Sequence, residues 1–290
     1  MRPRPRVLRK ATETAFVGLI LGGILVALGV LAILLAAILG TAWLYLTPTI
    51  VTSYANYHDV SRAGYAAAIV GTLWVLGLTL LLSLPLGLGA ALYLEEYAAS
   101  SRIARVLQTG VSNLAGVPSV VFGLLGLALF VRLLRPVTQG PSVLAGALTL
   151  TILVFPYVVI TAQEAIRAVP GSIRDAALAM GATKWQSIRH QVLPAAAPGL
   201  LTASILAAAR AIGETAPLIV LGSVIFQTYL PDDPFDKFVA LPVQIYAYIG
   251  LPGAEWQGVA SAGMVVLLGI LFLFNAVAIV GRNRLQRTRW

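Results

Sequence analysis

Six apolar runs set the terms for any fold of this chain: approximately residues 16–46, 65–94, 113–131, 142–164, 195–227 and 258–281. A helix of about 20 residues crosses the roughly 30 Å of bilayer hydrocarbon, and lipid leaves the backbone of such a run no partner but itself. The expectation is an all-α membrane protein with six transmembrane helices. Composition agrees, because 59% of the 290 residues are hydrophobic and 11% charged, whereas soluble domains carry about a quarter charged residues. The first run exceeds what a crossing needs, so it tilts or projects from the bilayer. Its basic lead-in (Arg2, Arg4, Arg6, Arg9, Lys10) matches the head of a secretory signal. A signal's apolar segment has roughly 7–15 residues, however, and this run is expected to stay in the membrane. The third run is the weakest span, being short, glycine-rich and interrupted by Pro118.

A net charge of +9 at pH 7 would suit nucleic acid, but the placement of the basic residues points to the membrane surface. With the N-terminus inside, the segments on the cytoplasmic side hold fifteen Lys and Arg and those on the opposite side four, Arg62, Arg132, Arg135 and Lys237. That asymmetry sets both termini in the cytoplasm. The organisation expected is a single membrane domain, 16–281, between basic cytoplasmic tails at 1–15 and 282–290, with a cytoplasmic loop at 165–194. The chain has no cysteine and two histidines, His58 and His190. Disulfide frameworks and zinc sites are therefore excluded, and no metal or cofactor is expected in this chain. The two histidines fall on opposite sides of the membrane, so no nucleophile–base constellation is visible and an enzyme is disfavoured.

Prolines interrupt several runs, at Pro85, Pro156, Pro198 and Pro217. Each removes a backbone donor and frees the carbonyl four residues earlier, which in lipid needs a partner within the protein or in a wet cavity. Pro217 frees Gly213, immediately beside Glu214, so Gly213 and Pro217 read as a functional bend. Arg210 and Glu214 are the charges inside the fifth run. Four residues apart, they share a helix face. A charge near mid-bilayer costs at least about 2.5–3.5 kcal/mol and by default faces a bundle interior or an aqueous path. An ion pair kept only for packing is the alternative, weakened because Arg before Glu is the poorer order and apolar residues often replace such a pair without loss. A guanidinium offers a planar fork of donors suited to oxyanions. Arg210 is expected to attract an anion in the substrate path, with Glu214 moderating the attraction so that the anion leaves again.

Between the fourth and fifth runs lies a polar, patterned segment. Ile173, Ala177 and Met180 mark one face of a short helix, which Ser172 is placed to cap and Gly181 to end. Trp185, Ile188 and Val192 continue the stripe through a second short helix delimited by Pro194. By itself the pattern suits a segment lying on the headgroups as well as one docking on another protein.

Asp175-Ala176-Ala177, then three residues and Gly181, then nine residues and Gln191-Val192-Leu193-Pro194, resembles the EAA loop of ABC-importer permeases. Asp175 stands where the family has Glu, and Gln191 where it has Ile; the spacing is unchanged. Tyr93-Leu94-Glu95-Glu96-Tyr97, Asn113 to Ser119 and above all Ala209-Arg210-Ala211-Ile212-Gly213-Glu214-Thr215-Ala216-Pro217-Leu218 narrow the resemblance to PstA-type permease subunits of phosphate importers. It covers roughly 65–225. It implies the type I ABC-importer permease architecture in the inner membrane. It also implies a homologous permease partner (PstC-like), two ATP-binding subunits (PstB-like) and a periplasmic phosphate-binding protein (PstS-like). Asp175, Ala176, Ala177, Gly181, Leu193 and Pro194 would then couple the chain to the ATPase. A Walker A loop needs Gly-Lys-Ser/Thr, and none of the three lysines here is followed by Ser or Thr. ATP is therefore expected on a separate subunit. Permeases for another oxyanion (sulfate, molybdate) and a self-contained anion channel or secondary transporter are the rival readings. The segment 228–257, with Asp232, Asp233, Asp236 and Glu255, reads as a solvated outer loop whose 239–249 portion packs on the membrane surface.

Overall fold

The computed structural model describes residues 6–98, 101–223 and 226–287, and every regular element among them is helical. α1 (Arg6–Ala42) precedes the short α2 (Pro48–Thr52), and α3 (Ala66–Leu92) runs on through a π-helical turn, Tyr93–Tyr97. α4 (Arg102–Ala115) is followed by α5 (Ser119–Gly126), which continues as a π-helical stretch over Leu127–Leu133. The single turn α6 (Arg135–Thr138) leads to α7 (Val143–Arg167) and α8 (Gly171–Ala179). Then come α9 (Lys184–Ser187), a π-turn at Ile188–Val192, α10 (Leu193–Gly213), α11 (Ala216–Leu221), α12 (Leu241–Ile249) and α13 (Ala254–Arg287). Arg2, Arg4 and Arg289 of the two basic tails lie outside the described residues.

The fold is organised around α7. Of its apolar window 67% is buried, against 0% for the first span and 6% for the last. α3, α4, α5 and α10 all pack on it. Helices in lipid gain nothing from hydrophobic burial against each other, so close contact between small residues has to hold them. Gly87 of α3 meets Val158, Gly126 of α5 meets Thr149 and Gly199 of α10 meets Ala165, each so closely that an added Cβ would collide. α1 stands at the edge, packed chiefly on α13.

Among the described residues, five helices are long and apolar enough to span a membrane: Phe16–Tyr45, Ala66–Tyr97, Val143–Arg167, Lys184–Gly213 and Ala254–Asn283. The sixth crossing differs from the expected continuous run at 113–131. Arg102–Ala115 and Ser119–Leu133 meet at 101°. Proline has no N–H and pushes the residue before it out of helical conformation, so the chain turns over Gly116-Val117-Pro118, and Pro118 is the extended N-cap of α5 (ψ 136°). The third run is thus a pair of helices bent at a break, and it counts as a sixth crossing only where the pair is one span.

Three local expectations are also corrected. Ser172 does not cap α8, whose N-cap is Pro170; it lies within the first turn. Pro194 does not delimit a second short helix, because the chain stays helical from Lys184 to Gly213. The π-turn accommodates it: the Leu193 N–H reaches back to the Ile188 carbonyl, widening the helix where the proline ring would clash with a carbonyl. The 239–249 portion, expected to pack on the membrane surface, packs one face into the bundle and leaves Tyr246 and Ile249 exposed. Leu241, Gln244 and Tyr248 are each 0% exposed. The Leu241 N–H donates to Thr72 Oγ1 (2.8 Å), Gln244 Nε2 donates to the Gly64 carbonyl (2.7 Å), and Tyr248 stacks on Trp256. Part of the neighbouring acidity is likewise structural, since Asp236 Oδ2 accepts from the N–H groups of Asp232 and Asp233.

Candidate functional site: a broken helix with a charge pair, and an exposed helical hairpin

The fifth apolar run does not continue to 227 as one helix. α10 ends at Gly213, Glu214 is extended (φ −77°, ψ 112°) and α11 begins anew at Ala216. Pro217 lies in the first turn of α11, where its missing N–H would have no helical partner in any case. The freed Gly213 carbonyl lies 3.4 Å from the Thr215 hydroxyl, which donates to it. The break is pinned from outside. A Cβ on Gly123 of α5 would stand 2.7 Å from Pro217 Cα, so only glycine lets α5 approach this closely.

Arg210 lies one turn before the break. Its Nε is 3.5 Å from Glu214 Oε1, and the two side chains are 37% and 15% exposed. That contact is an ion pair without a hydrogen bond: Arg210 Nε is buried and unpartnered among the described residues. A firmer hold comes from a residue the sequence reading did not single out. The guanidinium carbon of Arg210 sits 3.8 Å from the centroid of the Tyr157 ring, a cation–π contact worth about 0.5–2 kcal/mol. The Tyr157 hydroxyl donates to the Ala115 carbonyl (2.8 Å), at the end of α4 where the other broken helix turns. The ring therefore links the two breaks. Stacking covers one face of the guanidinium and leaves its donor edge to seek an acceptor. No sequence signal distinguished Tyr157 from the other aromatic residues of the spans.

The polar segment with the EAA-like spacing lies before the other end of α10, whose first residue, Leu193, is about 25 Å of helix rise from Arg210. Gly181 ends α8 as the sequence requires. Its φ is +84°, the Ala182 N–H returns to the Ala177 carbonyl (3.1 Å) and the Gly181 N–H to Leu178 (2.9 Å). This is the paired closure of a left-handed helix end. α9 starts on a reciprocal cap between Thr183 and Gln186. Asp175, Ala176, Leu178, Met180 and Trp185 are exposed, and a groove of about 630 Å³ runs between Ile173, Ala177, Met180 and His190. Leu193 and Pro194 are half-buried at the start of α10 rather than on this exposed face. The segment is a hairpin with an unpartnered apolar surface.

One cation fastens that hairpin to the bundle. Arg174 of α8 donates from Nε and Nη2 to Glu96 Oε1 (2.9 and 2.7 Å). It also donates from Nη1 to the Val169 carbonyl (2.7 Å) and from Nη2 to Ile166 (3.0 Å). By charge counting alone Arg174 was one more cytoplasmic basic residue, but the acids of the Tyr93–Tyr97 turn carried a readable signal. Two carboxylates in the last turn of a helix oppose its dipole and need nearby cations.

The family of binding-protein-dependent transport system inner membrane components matches residues 83–287. The phosphate transport system permease protein PstA 1 of Mycobacterium tuberculosis (strain ATCC 25618 / H37Rv) is 36% identical over 230 residues, 78% of this chain and 72% of that protein. The probable ABC transporter permease protein YqgI of Bacillus subtilis (strain 168) is 28% identical over 271 residues, 86% and 90% of the two chains. A bacterial ABC transporter involved in the import of the acidic polysaccharide alginate superposes with a TM-score of 0.63 at 19% identity, over 97% of this chain and 99% of that one. At that identity the likeness concerns the fold, the type I ABC-importer permease architecture. Spans, broken helices and family match converge: this chain belongs to the inner membrane components of binding-protein-dependent transport systems and is a permease subunit of an ABC importer.

Proposed function

We propose that this permease carries inorganic phosphate into the cell, and that Arg210 meets the anion on its way. The observation that carries the reading is a guanidinium held over the Tyr157 ring beside a helix break, with Nε unsatisfied and the side chain 37% exposed at the surface of the chain. A cation so placed in a membrane protein is too costly to leave against lipid. Its open side belongs to a path completed by a second, homologous permease subunit. Glu214, 3.5 Å away, offsets part of the attraction so that binding stays reversible.

The exposed hairpin faces the cytoplasm with both termini, in accord with the fifteen-to-four bias of basic residues. There α8 is the coupling helix, seated on one of two ATP-binding subunits that supply the work, while a periplasmic binding protein delivers the cargo. Phosphate is favoured over other oxyanions because the similar proteins include PstA phosphate permeases at 32%, 33% and 36% identity over most of the chain. The test is uptake by the complex reconstituted in proteoliposomes, with labelled phosphate challenged by unlabelled sulfate or molybdate. ATP-dependent phosphate uptake that neither competitor reduces is expected. Uptake of sulfate or molybdate in preference to phosphate, or uptake without ATP, would remove the assignment.

A further inference from the structure

We infer that the π-turn Tyr93–Tyr97 at the end of α3 is the receiver through which movement of α8 enters the transmembrane bundle, with Glu96 and Arg174 as its positioning residues. The inference rests on the reading of α8 as the coupling helix and adds where the displacement goes.

Cationic side chains from three separate elements converge on this turn. Arg167, the last residue of α7, makes a two-pronged contact with Glu95 (3.0 and 2.9 Å). Arg174 of α8 closes on Glu96 with both Nε and Nη2. Lys184, the first residue of α9, lies 5.0 Å from the centroid of the Tyr97 ring, which is itself stacked on Tyr93. The contacts are unequal. The Arg167–Glu95 pair is open to solvent on its arginine side, at 67% exposure, whereas Arg174 and Glu96 are 23% and 7% exposed. A screened surface pair contributes little; the shielded pair, with two extra hydrogen bonds from Arg174, is the strong member.

Those extra bonds give the contact its mechanical meaning. Ile166 belongs to the last turn of α7, where its carbonyl already accepts the Val169 N–H (3.2 Å), and Val169 follows the helix, where carbonyls lose their regular helical donors. Arg174 gives both carbonyls a side-chain donor. One side chain of α8 therefore grips the end of α3 and the end of α7 together. These two helices form the most extensive helix–helix contact in the bundle, and α7 carries Tyr157, on which Arg210 rests. Packed elements move as bodies rather than flexing. A push on α8 is thus delivered to the α3–α7 pair and along α7, from Ile166 to Tyr157 over about 14 Å of helix rise, to the charge pair. Two glutamates at a helix C-terminus violate a local preference, and local violations of this kind mark positions held for function. Helix widening at a π-turn, itself frequent at functional sites, sets the two carboxylates toward different partners.

The test compares Glu96→Gln, Arg174→Met and the double variant in the complete reconstituted complex. Three readouts are taken: co-purification of the ATP-binding subunits, ATP turnover, and phosphate taken up per ATP hydrolysed. Glu96→Gln is expected to assemble and hydrolyse ATP within about twofold of the parent while uptake per ATP falls about tenfold, the size of ordinary coupling between sites. Removing both charges relieves the penalty that a single buried charge leaves behind. If a single variant fails to assemble, the double variant is therefore expected to recover assembly without recovering uptake per ATP. An assembled complex of any of these variants with unchanged uptake per ATP overturns the inference. So does a double variant that still fails to assemble, since the contact would then be architectural. Failure of the underlying reading looks different: in a complex with Glu96 and Arg174 intact, the Ala176→Cys variant would not crosslink to an ATP-binding subunit, and with no native cysteine in the chain the readout is direct.

Discussion

Arg210 is held less by the carboxylate four residues on than by an aromatic ring from another helix. The 3.5 Å approach to Glu214 leaves Nε without a hydrogen bond, while Tyr157 lies under the guanidinium at 3.8 Å. Two variants separate the ring from its hydroxyl. Tyr157→Leu removes the cation–π contact and is expected to raise the half-saturating phosphate concentration about two- to thirtyfold, in line with about 0.5–2 kcal/mol. Tyr157→Phe keeps the ring and loses only the bond to the Ala115 carbonyl, so it is expected to retain the affinity and lower the maximal rate. Initial uptake rates across a phosphate series read out both. Arg210 and Glu214 were legible in the sequence because charges in apolar runs stand out. Tyr157 was not, because its meaning comes from a contact between helices more than fifty residues apart in the chain.

At the scale of elements, glycine and proline punctuation was legible where it acts on its own backbone. Gly181 ends α8 at φ +84° as its position required, and nothing lies within 4 Å of where a Cβ would point. Gly181→Ala is therefore expected to cost about 1–2 kcal/mol through backbone strain alone. The loss should show as weaker co-purification of the ATP-binding subunits. Gly171→Ala, in equally open space at ordinary φ, should leave co-purification unchanged and serves as the control. Other punctuation was misread because its effect depends on neighbours. Pro194, expected to end a helix, is absorbed by a π-turn and ends nothing, whereas Pro118 interrupts the third run as its position indicated, with a bend of 101°. The 239–249 stretch looked like a surface segment from its composition. One face of it is buried because α3 and α13 offer Thr72 and Trp256 to its polar backbone and its aromatic face.

For the whole molecule, the spans and their class were readable from hydropathy because lipid imposes so few solutions. How they assemble was not, since contacts such as Gly87 with Val158 depend on shape rather than polarity. The chain leaves two surfaces unfinished: the open side of Arg210, and the exposed hairpin with Met180 88% accessible. One asks for a second permease subunit and an anion, the other for a motor. Labelled phosphate uptake by the fully assembled complex, compared between the parent, Arg210→Lys and Arg210→Ala, tests the first most directly. A hydrogen bond to a charged group is worth about 1.5–3 kcal/mol, so Arg210→Ala is expected to lose about ten- to a hundredfold in uptake. Arg210→Lys, which keeps the charge but not the fork, should fall between. Uptake by assembled Arg210→Ala equal to the parent's would contradict the account.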